Sequence, residues 1–440
     1  MALFCAPVGG YTDRLMTDLC ATVEAALPAA VGGLEVHCFH GPVRVAAVGV
    51  VVDLSLQDGA TGAWSSGEVV AVPARDLAAP AVAIQRFLDA IARLAEPGSA
   101  ARAMRGDIAE ATGLDAPDYP DDAFAPTAAD EARREAAARA IDGRFQAASA
   151  RLREGHGLRL PRHLGVLAAF LRGLSPVEAR ALRAYGYSAI GLLDLFADGG
   201  LGREVAPGAD LRLHWRFRRD PPELVSVLLG DSDGLHFGLW YDDPAELPSF
   251  VVENYARDDG VSKSHGCTTV LRHLEHRLKL RAEDAEHPPT ALDRAFAAAL
   301  DAARPADDAA VAADGPLRWA KCERLDSVLG VSPALPGGLA TAHWPSYEPS
   351  RTREARYELR ALRVARYVRE ARAALAAGRP GPALVVGREL FWADDEGYRA
   401  EVRELLGGAY EALGRGALAE ILRVHLAGRD RPSVDVYREV

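Results

Sequence analysis

Apolar residues between Asp13 and Ala30 recur at the three- and four-residue spacing of an amphipathic helix, and Thr12 is placed to cap it. The period then changes. Leu34 to Phe39 and Val43 to Leu56 are dominated by valine and by alternating apolar residues, so both read as β-strands, with Gly41-Pro42 as a turn signal between them. A short strand over Glu68 to Val72 and a helix from about Pro80 to Leu94 complete an α-β-β-β-α module, assigned to residues 1–125. Residues 112–127 hold three prolines and four aspartates with no apolar period, which is linker composition. Thr127 and Asp130 then stand three apart ahead of an Ala-, Glu- and Arg-rich run, predicting an exposed connecting helix within 126–155.

Ser175-Pro176-Val177-Glu178 combines a hydroxyl cap, a proline at the first helical position and a glutamate at the third, with Gly186 as the stop. Residues 160–200 are therefore expected to be wholly helical, within a helical subdomain over 156–205. From Asp210 the period becomes two. Leu211, Leu213, Trp215 and Phe217 alternate with Arg212, His214, Arg216 and Arg218, predicting a half-buried strand with one apolar and one basic face. Leu224 to Leu229, Leu235 to Tyr241 and Ser249 to Asn254 read as three further strands of an antiparallel meander, with Gly230-Asp231-Ser232-Asp233-Gly234 as a tight turn. Helices are predicted over Thr268 to Leu280, Thr290 to Ala303 and Arg351 to Ala377. One or two more carry Val402, Leu405, Tyr410, Leu418, Ile421 and Leu426 at helical spacing. The fold class is α+β: a helical segment, then an antiparallel sheet flanked by helices over 206–440, with a separate small N-terminal domain.

Composition narrows the classes of function. At 440 residues with 49% hydrophobic content the chain can bury sizeable cores, which excludes a disordered reading. The longest apolar runs, such as Val43 to Leu54, are too short to span a bilayer, and no basic region precedes an apolar stretch at the N-terminus. The expectation is a cytoplasmic protein without a membrane partner. Five cysteines, none in a CxxC pair, argue against both a disulfide framework and a zinc knuckle. A net charge of −11 disfavours direct nucleic-acid binding, which draws on a surplus of Lys and Arg. Lys263, Lys279 and Lys321 are the only lysines; with the abundance of alanine, this suggests a GC-rich, bacterial coding sequence.

Candidate chemistry is sparse. His37-Cys38-Phe39-His40 places its histidines on opposite faces of a strand, and His265, Cys267, His273 and His276 read as solvated helix residues, so no metal is assigned. Asp231-Ser232-Asp233-Gly234 opens like a calcium loop but runs into a strand without the later glutamate. No G-x-G-x-x-G, P-loop or G-x-S-x-G signature is present, so no cofactor and no intrinsic hydrolase or kinase chemistry is expected. Arg212, His214, Arg216, Arg218 and Arg219 form the best binding candidate, because arginine supplies planar bidentate donors for carboxylate or pyrophosphate.

Two blocks carry a family resemblance. Leu213-His214-Trp215-Arg216-Phe217, Asp220-Pro221-Pro222-Glu223, Gly230-Asp231 and Asp242-Asp243-Pro244 with Glu246 and Pro248 form the first. Gly387, Leu390-Phe391, Tyr410, Leu418-Ala419-Glu420-Ile421 and His425-Leu426-Ala427 with Arg429 form the second. In order and spacing they resemble the histone PARylation factor family over about residues 156–435. The resemblance implies an accessory subunit that binds a poly(ADP-ribose) polymerase or related ADP-ribosyltransferase and completes its active site with an acidic loop, whose glutamate serves as general base. Counted back from Leu384, that loop's adjacent aspartate and glutamate fall on Ala376 and Ala377. The expected function is thus a non-catalytic binding protein linked to ADP-ribosylation. Two alternatives stand beside it: an active cofactor of ADP-ribosylation using a displaced acid, Glu389 or Asp395, and a two-domain adaptor or immunity-type protein built on the N-terminal module.

Overall fold

The computed structural model of the chain describes residues 34–41, 49–58, 64–76, 78–95, 108–118, 124, 126–283, 289–319, 322, 324, 327, 329–336 and 361–437. The predicted helix over Asp13 to Ala30 and the first ten residues of that over Arg351 to Ala377 lie outside the described residues. The chain divides into two compact units. The first comprises Met1–Arg134, Gly173–Ala184 and Leu274–Ala303, and the second Glu135–Arg172, Tyr185–His273 and Arg304–Val440.

In the first unit β1 (Leu34–Gly41), β2 (Gly49–Asp58) and β3 (Trp64–Pro73) form an antiparallel sheet in that order. A register shift between Val50 and Val51 bends β2. Val50, Val52, Val69 and Ala71 meet Phe87, Ala90 and Ile91 of the helix Ala81–Ala92 in one core, the apolar stripe that the helical period requires. The helix Ile108–Thr112 ends where the predicted linker begins, and Ile108 and Ala111 are buried in the same core. Its single turn is too short to register as a period. Helix starts in this unit follow side-chain chemistry closely. Thr127 N–H donates to Asp130 at 2.9 Å and Asp130 N–H returns to Thr127 Oγ1 at 3.2 Å, while Ser175 and Glu178 repeat the exchange at 2.6 and 3.3 Å. Thr290 and Asp293 make a third such box. Their helix, Ala291–Asp314, runs past the predicted end at Ala303 and through Pro305, because the Asp- and Ala-rich turn beyond continues to favour helix.

The second unit is built on an antiparallel sheet in the order β4 (Ser188–Ala189), β5 (Leu224–Leu229), β6 (Leu235–Trp240) and β7 (Phe250–Tyr255). β5 to β7 are almost wholly buried, so both faces of the sheet are covered. Gly238 permits the tight β5–β6 contact: a Cβ there would lie 2.5 Å from Leu224 and 2.6 Å from Val225 O. The turn after β5 is closed by Gly230 N–H to Leu235 O at 2.7 Å, with Asp233 and Gly234 both at positive φ. Residues 160–200 are not wholly helical. The helices Arg162–Gly173 and Pro176–Ala184 are followed by β4 and by a 3-10 helix over Gly191–Phe196.

The predicted strand over Leu211 to Phe217 does not form. Asp210 caps a 3-10 turn over Leu211–Leu213 by accepting from Arg212 N–H, and Asp220 accepts from Phe217 N–H at 2.9 Å. Trp215 sits at φ 50 and its N–H goes to Val434 O at 2.7 Å. Local carboxylates and the C-terminal tail take the backbone donors that a sheet would need, so an alternating pattern yields a turn-rich segment.

Asp242, just after β6, is fully buried and accepts from five donors. Its Oδ1 takes Trp240 Nε1 at 3.2 Å, Arg324 Nη1 at 2.6 Å and Ala334 N at 2.7 Å; its Oδ2 takes Ser249 Oγ at 2.5 Å and Arg324 Nη2 at 2.6 Å. Replacing Asp242 by alanine leaves Arg324 facing the interior without its counter-charge. The expected loss is about 3–5 kcal/mol of stability, read as a fall in the urea midpoint. Arg139→Ala, which removes an exposed ion pair with Glu135 at 3.5 Å, should cost under about 1 kcal/mol in the same measurement.

Candidate functional site

Arg212, His214, Arg216, Arg218 and Arg219 do not share one face. Arg212 Nη1 lies 2.8 Å from Asp210 and 3.8 Å from Glu420. His214 Nε2 bonds Asp194 at 2.7 Å, and its Nδ1 lies 3.3 Å from Asp435, an electrostatic contact without hydrogen-bond alignment. Arg216 is buried, donating to Arg212 O at 3.1 Å and Pro221 O at 2.9 Å; burial pulls its guanidinium below the usual range against the opposing pull of Asp220 and Glu223. Arg218 pairs with Asp394 and, at 2.8 Å, with Asp430. Arg219 stacks over Trp392 with 5.1 Å from its guanidinium carbon to the ring centroid, and no carboxylate among the described residues pairs with it. Four of the five are thus spent within the protein.

The acidic candidates are separated too. Glu389 is half-buried on the helix Gly381–Ala393. Asp395 is exposed and caps the turn Glu396–Tyr398 by accepting from Gly397 N–H at 2.8 Å. Asp394 closes the helix in the left-handed conformation and holds Arg429 at 2.8 Å. The segment where the resemblance places an acidic pair is a Schellman cap. Gly378 at φ 71 donates to Leu375 O at 3.0 Å, and Arg379 donates to Ala374 O at 2.9 Å. Ala376, Ala377, Gly378 and Arg379 are all exposed.

A cavity of about 20 Å³ opens beside His214, lined by Arg151, His156, Leu192, Leu211 and Tyr437 among others. It has room for one water, far less than a nucleotide requires. Arg151 Nε and His156 Nδ1 have no hydrogen-bond partner within the protein. Burial, aided by Arg216, Arg212 and His214, pulls the His156 pKa down to about 3, so this imidazole is neutral at pH 7. The Tyr437 ring lies 4.3 Å from that of His214 and 4.3 Å from the Arg203 guanidinium, which fixes the C-terminal tail beside the cavity.

Glu253 stands between two histidines, with Oε1 at 3.1 Å from His265 Nε2 and Oε2 at 3.9 Å from His273 Nε2. Among the described residues no group of three or more His, Cys, Asp or Glu is arranged to hold a metal ion, and no helix is long and apolar enough to cross a membrane. Sequence reasoning missed Asp194, Asp435 and Trp392, which position His214 and Arg219. Each is far from its partner along the chain, and no local pattern marks them.

Comparison with known proteins bears on the same segments. Residues 170–301 match the family model described as Histone PARylation factor 1. The chain is 34% identical over 112 residues to Histone PARylation factor 1 of Bos taurus, covering 25% of this chain and 32% of that protein. It is 33% identical over 92 residues to that of Mus musculus, covering 21% and 26%, and 31% identical over 104 residues to that of Danio rerio, covering 23% and 29%. The chain spans about a third or less of the length of these curated relatives. The matches support the histone PARylation factor resemblance, and the mixed helical and antiparallel architecture agrees with the α+β class.

The buried neutral His156 has a pH signature. Its folded pKa of about 3 lies below the ordinary histidine value of 6.5, so from pH 6.5 downward the unfolded chain takes up a proton that the folded chain refuses. Its contribution to stability is present above pH 6.5 and is lost at about 1.4 kcal/mol per pH unit as the pH falls toward 3. Urea titrations at pH 6.5 and 5 should therefore show a smaller acid loss in His156→Gln than in the unsubstituted protein; equal losses would remove this residue from the titration.

Proposed function

We propose that this chain is an accessory, non-catalytic binding protein that works beside an ADP-ribosyltransferase of the polymerase type and does not supply a general base to it. Support for the partner class comes from the family-model match over 170–301 and from relatives named Histone PARylation factor 1. The observation that carries the non-catalytic part is the Schellman cap at Ala376 to Arg379. A general base must bring a proton acceptor within about 3 Å of the hydroxyl it activates. The exposed methyl groups of Ala376 and Ala377 accept no proton, and the nearest charged side chain in the cap is Arg379, of opposite sign to an acid.

The displaced-acid reading is weaker. Asp395 spends an oxygen on Gly397 N–H, and Glu389 is half-buried on a helix rather than presented on a loop. An adaptor role for the N-terminal module has one point in its favour: its sheet and helices close a hydrophobic core of their own, from Val50 to Leu114.

The test mixes the full chain with a polymerase catalytic domain and NAD, follows complex formation by pull-down, and maps modified residues by mass spectrometry. The expected result is a complex whose acceptor profile matches that of the polymerase alone, together with a shift toward serine when Ala376→Asp and Ala377→Glu are introduced together. Absence of a complex would overturn the partner. Serine modification by the unsubstituted chain would overturn the non-catalytic assignment, and its loss in Glu389→Gln or Asp395→Asn would identify the displaced base.

A further inference from the structure

Arg219 differs from the other basic residues of its segment in what surrounds it. Its stem is clamped between the Trp392 indole and the turn at Gly260, where a Cβ would lie 3.0 Å from Arg219 Cδ and 3.1 Å from Trp392 Nε1. Gly260 has φ +61, so both the backbone conformation and the close approach call for glycine. Trp392 is itself fixed, nearly buried and donating Nε1–H to Asp259 O at 2.8 Å. The guanidinium is therefore held over the indole at a half-buried position, which reduces the rotamer entropy left to lose on binding.

The ion pairs around it leave it out. Arg218, Arg399 and Arg429 answer Asp394, Asp430 and Glu396: Arg399 lies 3.0 Å from Glu396 and 3.6 Å from Asp430, and Arg429 lies 2.8 Å from Asp394. Arg219 has no such carboxylate partner among the described residues. Burial, and secondarily the positive field of Arg218, Arg399 and Arg219, pulls the Arg429 pKa to about 10 against the opposing effect of Asp394. An unspent planar fork of this kind selects an anion.

We infer that the Arg219–Trp392 pair is a docking point for a carboxylate on an acidic segment of a protein partner. This rests on the reading of the chain as a binding protein and names the chemistry of one contact. A single unspent guanidinium matches one bidentate carboxylate; a pyrophosphate would require several free donors, and the neighbouring arginines are already engaged. Trp392 is nearly buried, so it offers no stacking platform to a nucleobase. A fixed Arg held on an aromatic is among the residue types in which interface hot spots are enriched.

The test uses the full chain and a fluorescein-labelled decaglutamate peptide, followed by anisotropy at low salt, with decaglutamine and inorganic pyrophosphate as comparison ligands. Decaglutamate should bind and decaglutamine should not. Arg219→Ala should weaken binding about tenfold. Arg219→Lys, which keeps the charge without the fork, should fall between. Arg139→Ala should bind as the unsubstituted chain does. Equal binding by Arg219→Ala, or by decaglutamine, would overturn the proposal. Binding of pyrophosphate without binding of decaglutamate would overturn the carboxylate assignment. If Arg219→Ala is poorly folded, the Lys variant alone decides: undiminished affinity in it counts against the bidentate contact. No polymerase is present, so failure here leaves the polymerase experiment standing, and the reverse also holds.

Discussion

The second unit depends on a buried charge that is fully answered. Asp242 has no access to solvent, and a carboxylate in that position is tolerable only if its lone pairs are occupied and a cation lies against it. Arg324 supplies both, with two parallel bonds at 2.6 Å, and stacks its guanidinium 4.8 Å over Phe250. The three remaining donors come from the end of β6, from the residue opening β7 and from Ala334. One side chain thus joins the sheet to the segment 324–334. Arg415 and Arg388 reinforce the same junction by donating to Ala334 O at 2.6 Å and Val331 O at 2.8 Å.

Buried arginines of this kind explain why a basic segment need not be a binding face. Arg216 was the centre of the predicted basic stripe, yet it lies inside, donating to carbonyls close to Glu223. Glu223 in turn accepts from Tyr410 Oη at 2.7 Å, so the segment after Asp210 is tied to the C-terminal helices by polar contacts as well as apolar ones. The tail adds Val434 O and Val436 O as acceptors for Trp215 and Ala206. With so many partners on either side, positive charge is consumed in folding, and of the described basic residues from Arg212 to Arg219 only Arg219 retains an unspent fork.

What was legible in the sequence divides along physical lines. Capping boxes at Thr127 and Ser175, the β5, β6 and β7 strands and the turn at Gly234 were readable because their causes lie within a few residues. The segment from Leu211 to Phe217 was misread because alternation is a statement about side chains alone. The backbone donors there were claimed by Asp220 nearby and by Val434 more than two hundred residues away. The helix Gly381–Ala393 was missed for another reason. It is buried along nearly its whole length, and a helix apolar on all sides has no stripe to detect. Of the candidate binding residues, sequence located the segment but not the distinction among its members, since Asp194, Asp394 and Asp435 reach them from distant positions.

The same division separates the positions that packing constrains from those it leaves free. Gly387 is required by packing: a Cβ there would lie 2.7 Å from Leu406 N and 2.7 Å from Leu406 Cβ, so the crossing of the helix Gly381–Ala393 with the π-turn Arg403–Gly407 tolerates no side chain at that point. Leu390, Phe391 and Tyr410 are likewise buried and constrained by volume. Ala376 and Ala377 face solvent at the end of a helix whose cap is satisfied by backbone bonds from Gly378 and Arg379 alone. Among the described residues, both side chains lie outside the buried packing of the second unit. A substitution at such exposed positions leaves the buried contacts in place, so likeness in the core carries information about the fold and not about the chemistry.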